Sequence, residues 1–122
     1  MLWEIDIYPA PGQPDLVGTQ VAQEARDLGV EGSIRVAAAR GYLVQGSLDR
    51  AQVERLTREL LADAVVERYV IGVPGEATLS APPAEFSEVV HVLPKPGVTD
   101  PVAQSALAAI HDLDIPADAV RT

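Results

Sequence analysis

The sequence repeats part of itself at an offset of 85 residues. Residues 4–30 align without a gap on residues 89–115, and seven of the 27 pairs are identical. Similarity that runs through strand, turn and helix together favours duplication over chance, although local turn chemistry alone is the alternative explanation. We therefore interpret the chain as one complete unit followed by part of a second. The identical pairs are Pro9/Pro94, Pro11/Pro96, Gly12/Gly97, Asp15/Asp100, Val17/Val102, Asp27/Asp112 and Leu28/Leu113.

Composition limits the classes of function. The 122 residues include 18 Asp and Glu but nine Lys and Arg, which gives a formal charge of −9. Such a surface repels a phosphate backbone, so we expect no nucleic-acid partner. The absence of cysteine excludes disulfides, and with only two histidines a structural zinc site is not expected. No signal-peptide pattern and no run of ~20 apolar residues is present, so we expect a cytoplasmic protein without a membrane partner.

Hydrophobic periodicity predicts the order β-α-β-β-α-β for residues 1–72. Apolar residues alternate in 3–8, which predicts a strand, and Asp15 then begins a helix that ends at Gly29. Residues 33–36 and 41–44 are predicted to form a hairpin. A second helix capped by Asp49 and a strand at 64–71 complete the unit. The predicted core contains Ile5, Ile7, Val17, Val21, Leu28, Ile34, Val53, Leu56, Leu60 and Val70.

The pattern changes after this unit. Residues 73–87 hold several Pro and Gly and few large apolar residues, which is typical of an extended linker. Residues 88–122 then predict a partial second unit, with a strand at 89–93, a helix and the start of a further strand at 119–122. The predicted fold class is α/β in the α+β two-layer sense, with an antiparallel sheet and helices on one face.

Few residues are candidates for chemistry. Lys95 and Gly97 precede the helix capped by Asp100, where backbone N–H groups favour an anion, although a plain turn and cap is the simpler interpretation. Arg40 and Tyr42 lie at the tip of the predicted hairpin and are candidates for a recognition loop, although a plain turn is the simpler interpretation. Since no nucleophile, metal cluster or carboxylate pair is recognisable, no catalytic, metal or cofactor site is expected, and a binding or scaffolding role is favoured. The candidate interface or anion-contact residues are Lys95, Gly97, Asp100, Arg40, Tyr42 and Arg121.

These residues resemble a known family. The run 95–101, the helix that follows it and residues 119–122 look like the opening of the small PurS subunit of phosphoribosylformylglycinamidine synthase. Residues 1–72 resemble the same subunit over its whole length, most clearly at 27–29, 33–35, 40–42 and 60–69. Two units in tandem also resemble the N-terminal PurS-like region of the large subunit PurL. The chain departs from the family at Ala10, where the pattern has lysine, and in its incomplete second unit.

The resemblance implies a noncatalytic bridging subunit or domain of an ATP- and glutamine-dependent ligase in de novo purine biosynthesis. Its partners would be the glutaminase and synthetase parts, between which ammonia passes, and the chain would form a homo-oligomer. ATP, Mg and glutamine would belong to the complex and not to this chain. A small-ligand-sensing regulatory domain is the alternative, because β-α-β-β-α-β sheets serve both functions, and a stand-alone enzyme is the third possibility.

Overall fold

A computed structural model of the protein describes residues 1–80 and 85–122. Four antiparallel strands form one sheet in the order β3-β1-β2-β4, and the helices over residues Arg50–Leu56 and Pro101–Asp112 pack on one of its faces. The predicted fold class is confirmed. The strands are β1 (Leu2–Pro9), β2 (Arg40–Gly46), β3 (Glu67–Gly72) and β4 (Ala117–Arg121), and the helices are α1 (Leu16–Asp27), α2 (Arg50–Leu56), α3 (Ala77–Ser80) and α4 (Pro101–Asp112).

Strand β1 organises the sheet because it pairs with both β2 and β3. Its alternating sequence places Trp3, Ile5 and Ile7 on the covered face, where each is at most 8% exposed. Ile5 lies between Tyr42 of β2 and Ile71 of β3 in the register. The predicted first strand is therefore observed with its buried face as expected.

Helix α2 begins with the capping box that its sequence predicts. The Asp49 carboxylate accepts from the Gln52 N–H, and the Gln52 side chain accepts from the Asp49 N–H. The helix continues as a π-helical turn, Thr57–Leu61, where the buried Thr57 hydroxyl donates to the Val53 carbonyl at 2.7 Å.

The π turn changes which leucine is buried. A π turn inserts one residue into the helical repeat and so rotates the residues that follow it. Leu61 is 7% exposed and packs in the core, whereas Leu60 is 38% exposed. The prediction that Leu60 belongs to the core is wrong for this reason.

The edge of β2 is occupied by β4 and not by the predicted hairpin strand. Residues 33–36, all within the described part of the chain, form no strand, so that prediction is wrong. Val120 of β4 instead lies opposite Val44 of β2. Helix α4 packs beside it, with Ile110 fully buried in the same core as Ile5. The sheet therefore combines strands from both predicted units.

Helix α1 is displaced from the core. It forms over the expected residues, but Val17 is 62% exposed and Leu28 is 86% exposed. Val21 is 43% exposed, and Ile34 and Val70 are only partly buried, so these five residues were wrongly assigned to a fully buried core. For Val17, Val21, Leu28 and Ile34 the physical reason is that α4 fills the place on the sheet that α1 was expected to cover. Val70 instead lies opposite Asp6 on the uncovered face of the sheet, and its neighbour Ile71 is the buried residue of β3. The predicted core is confirmed at Ile5, Ile7, Val53 and Leu56.

The chain after residue 72 differs from its predicted structure. Residues 89–93, which the structure describes, form no strand, so the strand predicted there is wrong. In the predicted linker, 73–87, a short helix α3 packs the buried Leu79 against Gly72 of β3. Residues 81–84 of that linker lie outside the described residues. The boundaries 1–72, 73–87 and 88–122 stay a prediction.

Candidate functional site

A groove lies between the π turn and α4, with Tyr42 of β2 at its base. Its walls are largely apolar, and two of its residues are exposed although hydrophobic: Leu60 at 38% and Val102 at 56%. Such a surface fits the apolar side chains of a protein partner better than a charged metabolite. The groove is lined by Tyr42, Leu60, Leu61, Pro101, Val102, Ser105, Ala106 and Ala109.

Arg40 holds one end of this groove together. Its guanidinium donates to both carboxylate oxygens of Glu67 and to the Leu61 carbonyl, which lies 2.6 Å away. The hydrogen bond from Arg40 lowers the pKa of Glu67, and the same hydrogen bond raises the pKa of Arg40. The pair therefore ties β2, β3 and the end of the π turn to one another.

Two candidate residues from the sequence are thus placed differently than expected. Arg40 and Tyr42 lie at the start of β2 and not at the tip of a hairpin. Tyr42 is 8% exposed and forms part of the core as well as the base of the groove. Their role as contact residues stays a prediction.

Asp100 connects the start of α4 to the residue that follows β4. Its carboxylate accepts from the Ala103 N–H at 3.0 Å and from both the N–H and the hydroxyl of Thr122 at 2.9 Å. These hydrogen bonds, of which the one from the Thr122 backbone has the largest effect, lower the pKa of Asp100. The neighbouring Arg121 donates to the Pro94 carbonyl at 3.3 Å, so the end of β4 is held on both sides.

Lys95 and Gly97 form a turn before α4. The Val98 N–H donates to the Lys95 carbonyl at 3.1 Å, and Gly97 has a φ of 83° after Pro96, as a type II turn requires. Lys95 is exposed. The Asp100 carboxylate accepts from the Ala103 N–H in the first turn of this helix, and anion contact by Lys95 and Gly97 stays a prediction.

A cluster of charged and titratable side chains on the uncovered face of the sheet, Glu4, Asp6 and His91, was not predicted from the sequence. The pKa of Asp6 is raised to about 6, chiefly by burial and also by the negative charge of Glu4, while His91 acts in the opposite direction. Asp6 lies opposite Gly41, whose lack of a side chain leaves room for the carboxylate. The sequence signal that could have indicated this cluster is the pair Glu4 and Asp6, which lie on the same face of β1.

The other described polar contacts near the site have structural roles. His111 lies with its Nε2 2.7 Å from the Ala117 carbonyl and so joins α4 to β4. Arg68 stacks on Tyr8, with its guanidinium carbon 4.4 Å from the ring centre. Within residues 1–80 and 85–122, no three His, Asp or Glu side chains are grouped to hold a metal ion. In the same ranges no helix has the length and apolar character to cross a bilayer.

The fold defines a class: a small two-layer α+β protein, here with an apolar groove between the π turn and α4. Within that class the chain has a PurS-like fold. A PurS structure from Methanocaldococcus jannaschii, described as one of the subunits of formylglycinamide ribonucleotide amidotransferase in the purine biosynthetic pathway, is similar with a TM-score of 0.53. The two are 19% identical, and the similarity covers 58% of this chain and 92% of that one.

A second solved structure, the PurS subunit of an FGAM synthetase, is similar with a TM-score of 0.50 and 17% identity. That similarity covers 57% of this chain and 88% of the other. No protein-family model matches the sequence, and no curated protein matches it. Identities below 20% establish the shared fold and leave the function to be argued separately.

Proposed function

We propose that this chain is a noncatalytic bridging subunit or domain of phosphoribosylformylglycinamidine synthase in de novo purine biosynthesis. The observation that carries the proposal is the similarity to two PurS subunits, which extends over 92% and 88% of their chains. A likeness over nearly the whole of another subunit supports a related role more strongly than a shared strand–helix motif would.

The proposed role is to hold the glutaminase and synthetase parts together so that ammonia passes between them. The apolar groove supports such a role because Leu60 and Val102 expose carbon surface that a partner would cover. ATP, Mg and glutamine would bind to those parts and not to this chain. The proposal includes a cytoplasmic location and self-association of the chain.

The test is binding of the purified chain to the glutaminase and synthetase subunits from the same source, measured by biolayer interferometry. Leu60→Glu places a charge in the groove, and we expect it to weaken binding by roughly tenfold or more, as loss of a central apolar contact does. Val65→Glu is the matched control, since Val65 is 83% exposed and does not line the groove.

The outcomes separate the possibilities. Binding that Leu60→Glu weakens and Val65→Glu leaves unchanged supports the bridging role through the groove. Binding that both variants leave unchanged supports the bridging role but moves the contact elsewhere. No binding to either subunit at micromolar concentration would contradict the proposal and favour the small-ligand-sensing alternative.

A further inference from the structure

Two segments of this chain have the same local architecture. We call residues 15–38 the α1 module and residues 100–122 the α4 module. Each contains a 12-residue helix that follows an aspartate cap. In each, the cap carboxylate also accepts from a backbone N–H of the extended segment that follows the helix: Asp15 from Ala38 at 2.8 Å and Asp100 from Thr122 at 2.9 Å. The modules are therefore two versions of one helix–strand unit.

The hydrogen bonds of the two aspartate caps differ in register. Counted along the repeat, Ala38 lies two residues beyond the position that corresponds to Thr122. A shift of two residues keeps the same side chains on the same face of an extended segment. The extended part of the α1 module thus packs on its own helix in a register shifted from that of β4.

Only the α4 module is docked on the sheet. Ile110 and Ile115 are at most 2% exposed, and Ala106 is 9% exposed. The corresponding residues of the α1 module are apolar too, but Val21 is 43% exposed and Val30 is 53% exposed. The α1 module therefore presents to solvent the face that its counterpart buries. The corresponding pairs are Val21/Ala106, Ala25/Ile110 and Val30/Ile115.

The register of β4 also fits the α1 module. In the sheet, Arg121 lies opposite Leu43 and Val120 lies opposite Val44. The repeat places Arg35 and Ile34 at those positions. If pairing continued in that register, positions 37 and 41 would lie opposite each other and residues 38–40 would form a three-residue loop. Three-residue loops are a common hairpin connection, so the register that the repeat gives is compatible with the local connection.

The chain is long enough for the α1 module to reach this edge. Six residues, 10–15, connect the end of β1 to the cap of α1 and span up to ~20 Å when extended. The position of β4 lies two strands from β1, about 10 Å away in the sheet. No described strand would have to leave the sheet except β4.

We propose that the edge of β2 that β4 occupies, with the adjoining core surface, is a docking site for which the α1 module and the α4 module compete. Docking of one module releases the other. When the α1 module is docked, the α4 module is released and exposes the apolar face, including Ile110 and Ile115, that it now buries. A partner that prefers one arrangement then shifts the population of both. This inference does not depend on the proposed function.

The chain lacks cysteine, so engineered cysteine pairs report each arrangement without background. Leu43→Cys with Arg121→Cys reports the docked α4 module, and Leu43→Cys with Arg35→Cys reports the docked α1 module. Leu43→Cys with Asp27→Cys is the control, because Asp27 lies at the exposed end of the α1 helix and does not belong to the extended segment. Each full-length variant is equilibrated in a glutathione buffer, and intramolecular disulfide is counted by mass spectrometry of the monomer.

Two single substitutions change the corresponding residues Ala25 and Ile110, each to the residue type found at the other position. Ile110→Ala weakens the α4 module, and Ala25→Ile strengthens the α1 module without removing anything from α4. We expect each to raise the ratio of the 35–43 disulfide to the 121–43 disulfide, by roughly tenfold or more for Ile110→Ala, because loss of a fully buried isoleucine is costly. The proposal is overturned if the 35–43 disulfide never exceeds the 27–43 control in either variant, or if it forms only between two chains.

Discussion

The Thr122 backbone N–H and hydroxyl both donate to the carboxylate of Asp100, 22 residues earlier in the chain. This relationship closes the α4 segment on itself, because Asp100 begins the helix and Thr122 follows the last strand. It explains how a strand at the end of the described chain is held in register on the edge of β2.

Asp100→Ala should lower the melting temperature, because it removes the helix cap and the contact with Thr122 together. Asp15→Ala is the matched control, since Asp15 makes the same two kinds of contact in a module that is not docked in the core. We expect the loss to be larger for Asp100→Ala, as measured by differential scanning calorimetry. Equal losses would mean that the docking of α4 does not depend on this contact.

The effect of Asp100 should depend on pH. Its pKa is lowered in the folded protein, so its contribution to stability is present above the unfolded pKa of about 3.8 and is lost as pH falls through the folded value. The difference in melting temperature between wild type and Asp100→Ala should therefore be larger at pH 7 than at pH 3. A difference that grows towards pH 3 would contradict the assigned hydrogen bonds.

Asp6 should show the opposite dependence on pH. Its folded pKa of about 6 lies above the unfolded value of 3.8, so the folded state binds the proton more tightly and stability falls as pH rises between these values. Asp6→Asn should stabilise the protein above pH 6 and have little effect below pH 3.8. Because Asp6 is only half-buried, we expect about 1 kcal/mol or less in the free energy of unfolding by urea. Glu4→Gln should lower the pKa of Asp6, which an NMR titration measures.

Leu56→Ala and Leu60→Ala test the π turn. Leu56 is fully buried, so its truncation should cost about 2–5 kcal/mol in the free energy of unfolding. Leu60→Ala should cost less than ~1 kcal/mol, because that side chain lines the groove and is 38% exposed. Chemical denaturation of both variants measures the difference. Similar large costs at both positions would mean that the helix has no rotation after Thr57.

Self-association is expected through the segment before α4. Val90 is 81% exposed and Val92 is 87% exposed, so residues 89–93 present an apolar stretch that a second copy of the chain would cover. Sedimentation at micromolar concentration should show a dimer or a larger species. Val92→Asp should reduce the association, while Val65→Asp, at a residue 83% exposed elsewhere, should not. A strictly monomeric wild type would contradict this expectation.

Local sequence signals predicted the helices and central strands well. The Asp15, Asp49 and Asp100 caps all form, because a cap depends on residues within one turn. Strand β1 was predicted with its buried face for the same reason, since alternation is a local property.

The strand at the edge of β2 could not be predicted in this way. Residues 33–36 and Ala117–Arg121 have similar strand character, and the choice between them depends on which module packs better on the core. Ile110 fills more of that core than the corresponding Ala25, but only the assembled structure shows the space that it fills. The exposure of Leu60 was missed because the π turn at Thr57 has no distinct sequence signal.

Single residues of the candidate site were predicted from the sequence, but their contacts and the groove were not. Arg40 and Tyr42 were selected from the sequence, but the Glu67 carboxylate and Leu61 carbonyl that fix Arg40 come from segments distant in the chain. The groove arises where α4 lies against the π turn, which is a contact between the two predicted units. Asp6 was missed because its raised pKa depends on burial and not on its neighbours in sequence alone.

The role that we propose for the chain is to couple glutamine hydrolysis to amide transfer without catalysing either reaction. The most direct measurement is the turnover of formylglycinamide ribonucleotide by the glutaminase and synthetase parts, with and without this chain, using either glutamine or ammonium as the nitrogen source. We expect the chain to be required for turnover with glutamine, and we expect turnover with ammonium to be nearly independent of it. Equal turnover from glutamine with and without the chain would contradict the claim.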